Sequence, residues 1–127
     1  MILGIDLGQK TTGIAISEGN LAAPYATIKH QNLGEAVNQI VQICEREVVN
    51  KVVIGYVEGK IKKLFEDFAS KLNKTKPDLE IVLWDETLTT GQALQTMIKL
   101  QLPKMKRAQK EHEYAASLIL QNYLDSQ

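Results

Sequence analysis

Three observations predict an α/β fold, a mixed sheet with helices on its faces. Ile2-Leu3-Gly4-Ile5-Asp6-Leu7-Gly8 and Thr12-Gly13-Ile14-Ala15-Ile16-Ser17 are two short apolar, β-branched runs around a polar tip, which reads as an antiparallel hairpin. Beyond it, strand-length apolar runs alternate with stretches of helical period, and such strand–helix–strand units imply parallel pairing. The chain has 127 residues, 44% hydrophobic and 24% charged. That is an ordinary globular mix, enough for one domain over residues 1–127 and too little for two.

After the hairpin, residues 21–30 read as a third extended segment, which Pro24 places at an edge or a bulge. Leu33, Ala36, Val37, Ile40, Val41 and Cys44 form a helical stripe that predicts a helix from Leu33 to Glu47. Val52-Val53-Ile54-Gly55-Tyr56 is a buried strand. Ile61, Leu64, Phe65, Phe68 and Leu72 mark a second amphipathic helix, broken at Pro77 and Asp78. Ile81-Val82-Leu83-Trp84 is another buried strand and ends at Asp85-Glu86. Ala93, Leu94, Met97 and Ile98 suggest a short helix capped by Thr89 or Thr90. A final helix is predicted from about Gln109 to Leu124, with the basic run ahead of it.

Lys plus Arg and Asp plus Glu are both 15. Overall charge therefore does not mark a nucleic-acid binder, and local clustering has to carry that reading. The single cysteine, Cys44, cannot form an internal disulfide, so a reducing cytoplasm fits. No apolar run approaches a membrane span, and Asp6 interrupts the start before a signal-peptide core forms.

Asp6 is the one acid of the hairpin and falls at the carboxyl end of its first strand, the end where open α/β sheets gather ligands. An unpaired carboxylate there is costly to bury unless a cation repays it. The plainer reading is a turn-capping side chain. Gly4, Gly8 and Gly13 leave room for a backbone or ligand to come close. Glu86 follows a buried strand much as Asp6 does, and in a parallel sheet the two acids share one end. Strand alternation sends Asp85 and Glu86 to opposite faces, so one of them faces the site. Oxygen ligands of this kind suit Mg²⁺ or Mn²⁺. Two such ions in one site drive in-line phosphodiester hydrolysis, one preparing the water and the other steadying the leaving oxygen.

The final helix adds a third candidate. Ala115, Ala116, Ile119, Leu120 and Tyr123 define its buried face, and at roughly 100° per residue their mean direction falls within about 20° of His112. His112 is thus aimed at the sheet as a metal ligand or proton carrier, unless it is merely a neutral core histidine. Lys99, Lys104, Lys106, Arg107 and Lys110 form a basic run without an acid. Lys104, Lys106, Arg107 and Lys110, joined by Lys10 at the hairpin tip, are the candidate nucleic-acid contacts.

Gly4-Ile5-Asp6-Leu7-Gly8 with Gly13-Ile14-Ala15-Ile16-Ser17, then Trp84-Asp85-Glu86-Thr87-Leu88-Thr89-Thr90, then Ala115-Ala116-Ser117-Leu118-Ile119-Leu120-Gln121-Asn122-Tyr123-Leu124, resemble the YqgF/RuvX family in order along the whole chain. Its members are described as Holliday-junction resolvases and as pre-16S rRNA nucleases of RNase H-like fold. The resemblance implies a five-stranded mixed sheet with flanking helices and metal-dependent cleavage of structured RNA or branched DNA. It matches Asp6 and Glu86 to the family's first two acids. Four departures stand out. His112 replaces the usual Asp, and Thr87 and Thr11 stand where Arg is common. The loop after Gly55 is shortened to Tyr56-Val57-Glu58-Gly59. The His112 change removes one negative charge and favours Mn²⁺ over Mg²⁺, although related nucleases use His on this helix. Two other readings follow: a nucleic-acid-binding descendant that no longer cleaves, and a relative of the actin-like ATPases, whose phosphate-binding segment the hairpin also resembles. A four-way junction needs two sites about a twofold axis. With no apolar stripe left over, the chain reads as a monomer rather than a dimer.

Overall fold

A computed structural model describes residues 1–56, 62–85 and 104–127, with backbone only for 104–110. Its elements are β1 (Ile2–Asp6), β2 (Thr11–Glu18), β3 (Leu21–Lys29), α1 (Leu33–Glu47), β4 (Lys51–Tyr56), α2 (Lys62–Thr75), β5 (Glu80–Asp85) and α3 (Lys104–Asp125). The five strands form one sheet in the order β3-β2-β1-β4-β5. β1 pairs antiparallel with β2 and parallel with β4, and β4 pairs parallel with β5. β3 is an edge strand, and its pairing with β2 shifts register near Pro24, so that proline marks both an edge and a bulge.

Alternation along each strand builds two cores. Leu3, Ile5, Ile14, Val52 and Ile54 pack with α1 and α2 on one face. Ala15 and Val53, with Ile2, Val82 and Trp84, pack against Ala116, Ile119, Leu120 and Tyr123 of α3 on the other. β4 is apolar on both sides because it is central and covered on both. The helices are fixed at their ends. Asn32 caps α1 by accepting from the Glu35 amide at 2.9 Å, and the Glu35 carboxylate accepts from the Gln31 amide at 2.7 Å, a reciprocal box.

Two sequence expectations need correcting or setting aside. The final helix begins at Lys104 rather than near residue 109, so the basic run forms its first turns. Pro103 suits the entry to a helix, and Lys, Met, Arg, Ala and Gln are strong helix formers, so propensity builds these turns before the apolar stripe begins. The short helix around residues 93–98 and its Thr89 or Thr90 cap lie outside the described residues.

Val48 ends α1 in the left-handed region, φ 55°, with its side chain 79% exposed. A β-branched residue is strained there and buries nothing in return. Val48→Gly should therefore raise stability by about 1 kcal/mol, read as a shift in denaturant midpoint at unchanged slope.

Candidate active site

The carboxyl end of β1 sets the site. Asp6 shares its face of the sheet with Gly4, and its neighbours in register are Gly13 on β2 and Gly55 on β4. Both neighbours lack side chains, so the carboxylate stands in a recess that no side chain of the paired β2 and β4 residues fills. One strand further on, Gly55 is in register with Trp84 of β5. The parallel strands β1, β4 and β5 thus bring Asp6, Tyr56 and Asp85 to the same end of the sheet.

α3 closes the recess from above, and two glycines decide how close it comes. A Cβ on Gly4 would lie 2.6 Å from Leu120 Cβ and 2.9 Å from the Ala116 carbonyl oxygen. A Cβ on Gly13 would fall on the His112 carbonyl group itself. The helix therefore seats flush on β1 and β2 only because both positions are glycine. Its rotation is pinned along its length. Thr27 Oγ1 donates to Glu113 Oε1 at 3.2 Å, Gln121 bonds the backbone of Ala22 and Asn20, and Tyr123 meets Trp84 edge-on with centroids 5.4 Å apart. In that phase His112 lies over Gly13, directly across from Asp6, with Nδ1 3.5 Å from Asp6 Oδ2. The His112 side chain is 48% exposed and that of Asp6 27%. His112 is therefore not a core histidine, which removes the bland alternative.

The other candidates distribute as follows. Lys10 is exposed at the hairpin tip. Lys104, Lys106, Arg107 and Lys110 belong to the first two turns of α3, N-terminal to His112, and the first turn carries no acid. Their charge adds to the positive end of the helix dipole on the side of the sheet that holds Asp6. Asp85 is half-buried and by alternation shares its face with Ile81, opposite Val82 and Trp84. Glu86 lies outside the described residues.

A cleft of about 730 Å³ occurs at the far end of the sheet, lined by Met1, Ile2, Ser17, Lys51 and Glu80 among others. Three of its polar side chains are engaged with one another or with the chain: Lys51 pairs with Glu80 at 3.3 Å and donates to Tyr123 at 3.0 Å, and Ser17 accepts from the Ile2 amide. The approach of Asp6 and His112 lies at the opposite end of the sheet from this cleft.

Sequence reading missed two features of the structure. One is the pair of glycines, Gly13 and Gly55, that flank Asp6; the glycines were visible, but their placement beside one carboxylate depends on register between strands far apart in the chain. The other is a buried Thr12–His30 contact of 2.7 Å beneath the hairpin tip. A lone threonine and a lone histidine carry no periodic signal.

Comparison with known proteins gives the family and the fold. A family model for RuvX, described as Holliday junction resolvase, matches residues 1–126. A relative from Clostridium tetani carrying the name "Putative pre-16S rRNA nuclease" is 38% identical over 133 residues, covering 98% of this chain and 96% of its own. One of the same name from Staphylococcus aureus is 37% identical over 135 residues, covering 98% and 95%. Among solved structures, the fowlpox virus resolvase bound to Holliday junction DNA superposes with a TM-score of 0.66 at 14% identity, covering 98% of this chain and 97% of that one. RuvC from Thermus thermophilus superposes at 0.62 with 11% identity, covering 98% and 94%. These likenesses fix the fold as RNase H-like, and the full-length sequence matches fix more: the chain belongs to the RuvX family.

Proposed function

We propose that this chain is a divalent-metal-dependent endonuclease, one domain over residues 1–127, that hydrolyses phosphodiesters of structured nucleic acid, with precursor 16S rRNA as the preferred substrate. The observation that carries the reading is the approach of Asp6 Oδ2 and His112 Nδ1 to 3.5 Å in an open recess. Neighbouring ligands of one octahedral ion held at about 2.1 Å are about 3.0 Å apart, so a small rotamer adjustment lets both donors share an ion. Among the described residues no group of three or more His, Cys, Asp or Glu stands ready to hold a metal. Glu86 is the proposed third ligand. It is favoured over Asp85 because Val82 and Trp84 alternate toward α3 and position 86 continues their series. Mg²⁺ or Mn²⁺ held there, one ion or two, would activate water and neutralise charge on the phosphate.

The chain's own residues do the rest. Asp6 supplies the fixed negative charge that selects a cation. His112 offers a ring nitrogen from a half-exposed position, where substrate can reach it. Gly13 has no side chain to hold α3 away, so His112 can stand beside Asp6. Lys10 and the basic first turns of α3 draw the polyanion to that end of the sheet. The names borne by the relatives support RNA, and a single recess in a monomer suits trimming one precursor end.

The test is cleavage of a 5′-extended 16S rRNA fragment and a four-way DNA junction, in Mg²⁺ and in Mn²⁺, with Asp6→Asn as control. RNA cleavage lost in the variant supports the proposal. Wild-type cleavage no greater than that of Asp6→Asn on both substrates overturns it. Binding without cleavage means a non-catalytic descendant, and junction cleavage by a stable dimer in solution means a resolvase.

The basic run makes a separate prediction. Replacing Lys104, Lys106 and Arg107 together by Ala should weaken RNA affinity and lower the slope of log affinity against log salt by about 2. Alanine keeps the helix, so the melting temperature should stay nearly constant. An unchanged salt slope would show that the nucleic acid lies elsewhere.

A further inference from the structure

The Thr12–His30 contact has no place in the site described above, yet it is the most polar feature of the core. Both residues are buried, Thr12 at 0% and His30 at 3% exposure. Thr12 Oγ1 and His30 Nε2 are 2.7 Å apart, and the Gly8 amide donates to the same Oγ1 at 3.5 Å. The backbone amide of His30 donates to the Lys10 carbonyl at 2.9 Å. His30 therefore grips the turn at residues 7–10 twice: by its own backbone at Lys10, and through Thr12 at Gly8. That turn begins one residue after Asp6 and carries Lys10. It is also tight, since a Cβ on Gly8 would collide with the Thr11 carbonyl oxygen.

The pair is a poor choice for stability alone. His30 Nδ1 is buried with no well-aligned hydrogen-bond partner, and such a group weakens a fold. Burial lowers the pKa of the ring, while the Asn32 backbone favours a proton on it. A neutral ring protonated at Nδ1 leaves Nε2 to accept from the Thr12 hydroxyl, and the lone pairs of that hydroxyl face the Gly8 amide. Donation then runs one way, from the Gly8 amide through the Thr12 hydroxyl to the ring.

We infer that His30, acting through Thr12, is a positioning residue that sets the turn at residues 7–10 and with it the placement of Lys10 beside the Asp6 recess. The inference rests on the proposed nuclease reading for its consequence, because the turn would be set for substrate. It acts on binding rather than on the reacting atoms, since Asp6 itself is held by the sheet. Loss of the link should raise KM and leave kcat nearly unchanged.

Thr12→Val keeps the shape and removes the hydroxyl, whereas Thr12→Ser keeps the hydroxyl. His30→Leu and His30→Gln form the matching pair for the ring, the glutamine carbonyl replacing Nε2 as acceptor. Hydrogen exchange at the Gly8 amide should quicken by about tenfold or more in Thr12→Val and His30→Leu, with the β1–β4 amides unmoved. KM for the RNA should rise about fivefold in both, with kcat within about twofold of wild type. Thr12→Ser and His30→Gln should return near wild type in both readouts. Unchanged Gly8 exchange, an equal quickening across the sheet's amides, or a fall in kcat at constant KM would each overturn the inference. Exchange does not depend on activity. If Gly8 quickens as stated while the wild type neither binds nor cuts nucleic acid, the nuclease reading fails and the link to the turn stands.

Discussion

Gly13→Ala should lower the melting temperature by about 10 °C or more, corresponding to about 3 kcal/mol, and abolish the approach of His112 to Asp6. The added Cβ falls on the His112 carbonyl, a backbone group in the middle of a 22-residue helix. No flexible side chain can give way, so the helix itself must lift. That helix covers β1 and β2 through Ala116, Ile119, Leu120 and Tyr123, and lifting it opens the second core. Gly19→Ala is the matched control. Gly19 has φ 61° and nothing near its Cβ position, so that change carries only the cost of left-handed backbone, about 1 kcal/mol, and leaves the site alone. A Gly13→Ala melting temperature no lower than that of Gly19→Ala would show that α3 is not seated by this contact.

His112→Ala should reduce cleavage by about a hundredfold or more while changing stability by less than about 0.5 kcal/mol. The small stability effect follows from the half-exposed side chain, and the large activity effect from loss of a donor 3.5 Å from Asp6. His112→Asp should retain cleavage and shift preference from Mn²⁺ toward Mg²⁺, because it restores a hard oxygen ligand and one negative charge. Equal activity of the wild type and His112→Ala in both metals would end the ligand assignment.

How much of this was readable beforehand depended on whether the signal was local. β4 and β5 were legible as short apolar runs, and α1 was legible from its apolar stripe. The aim of His112 was legible because helix phase carries a residue's direction across several turns. The start of α3 was not, since its first two turns are held by propensity and carry no apolar stripe. The recess around Asp6 was only half legible. The carboxylate and the glycines are in the sequence, but Gly13 and Gly55 flank Asp6 through a register set by pairing distant strands. Position 86 was named from its place after a buried strand and from the family resemblance, since alternation alone left Asp85 and Glu86 open; that Val82 and Trp84 face α3 is the ground the fold adds for proposing it.

The central claim is that Asp6 and His112 hold a divalent cation together. A crystal soaked in Mn²⁺ tests it most directly, through the anomalous signal of the ion. The account predicts a peak bonded to Asp6 Oδ2 and a His112 ring nitrogen, with Glu86 completing the protein ligands and Asp85 on the opposite face. An ion held by Asp85, or His112 turned away from an ion bound at Asp6, would contradict it.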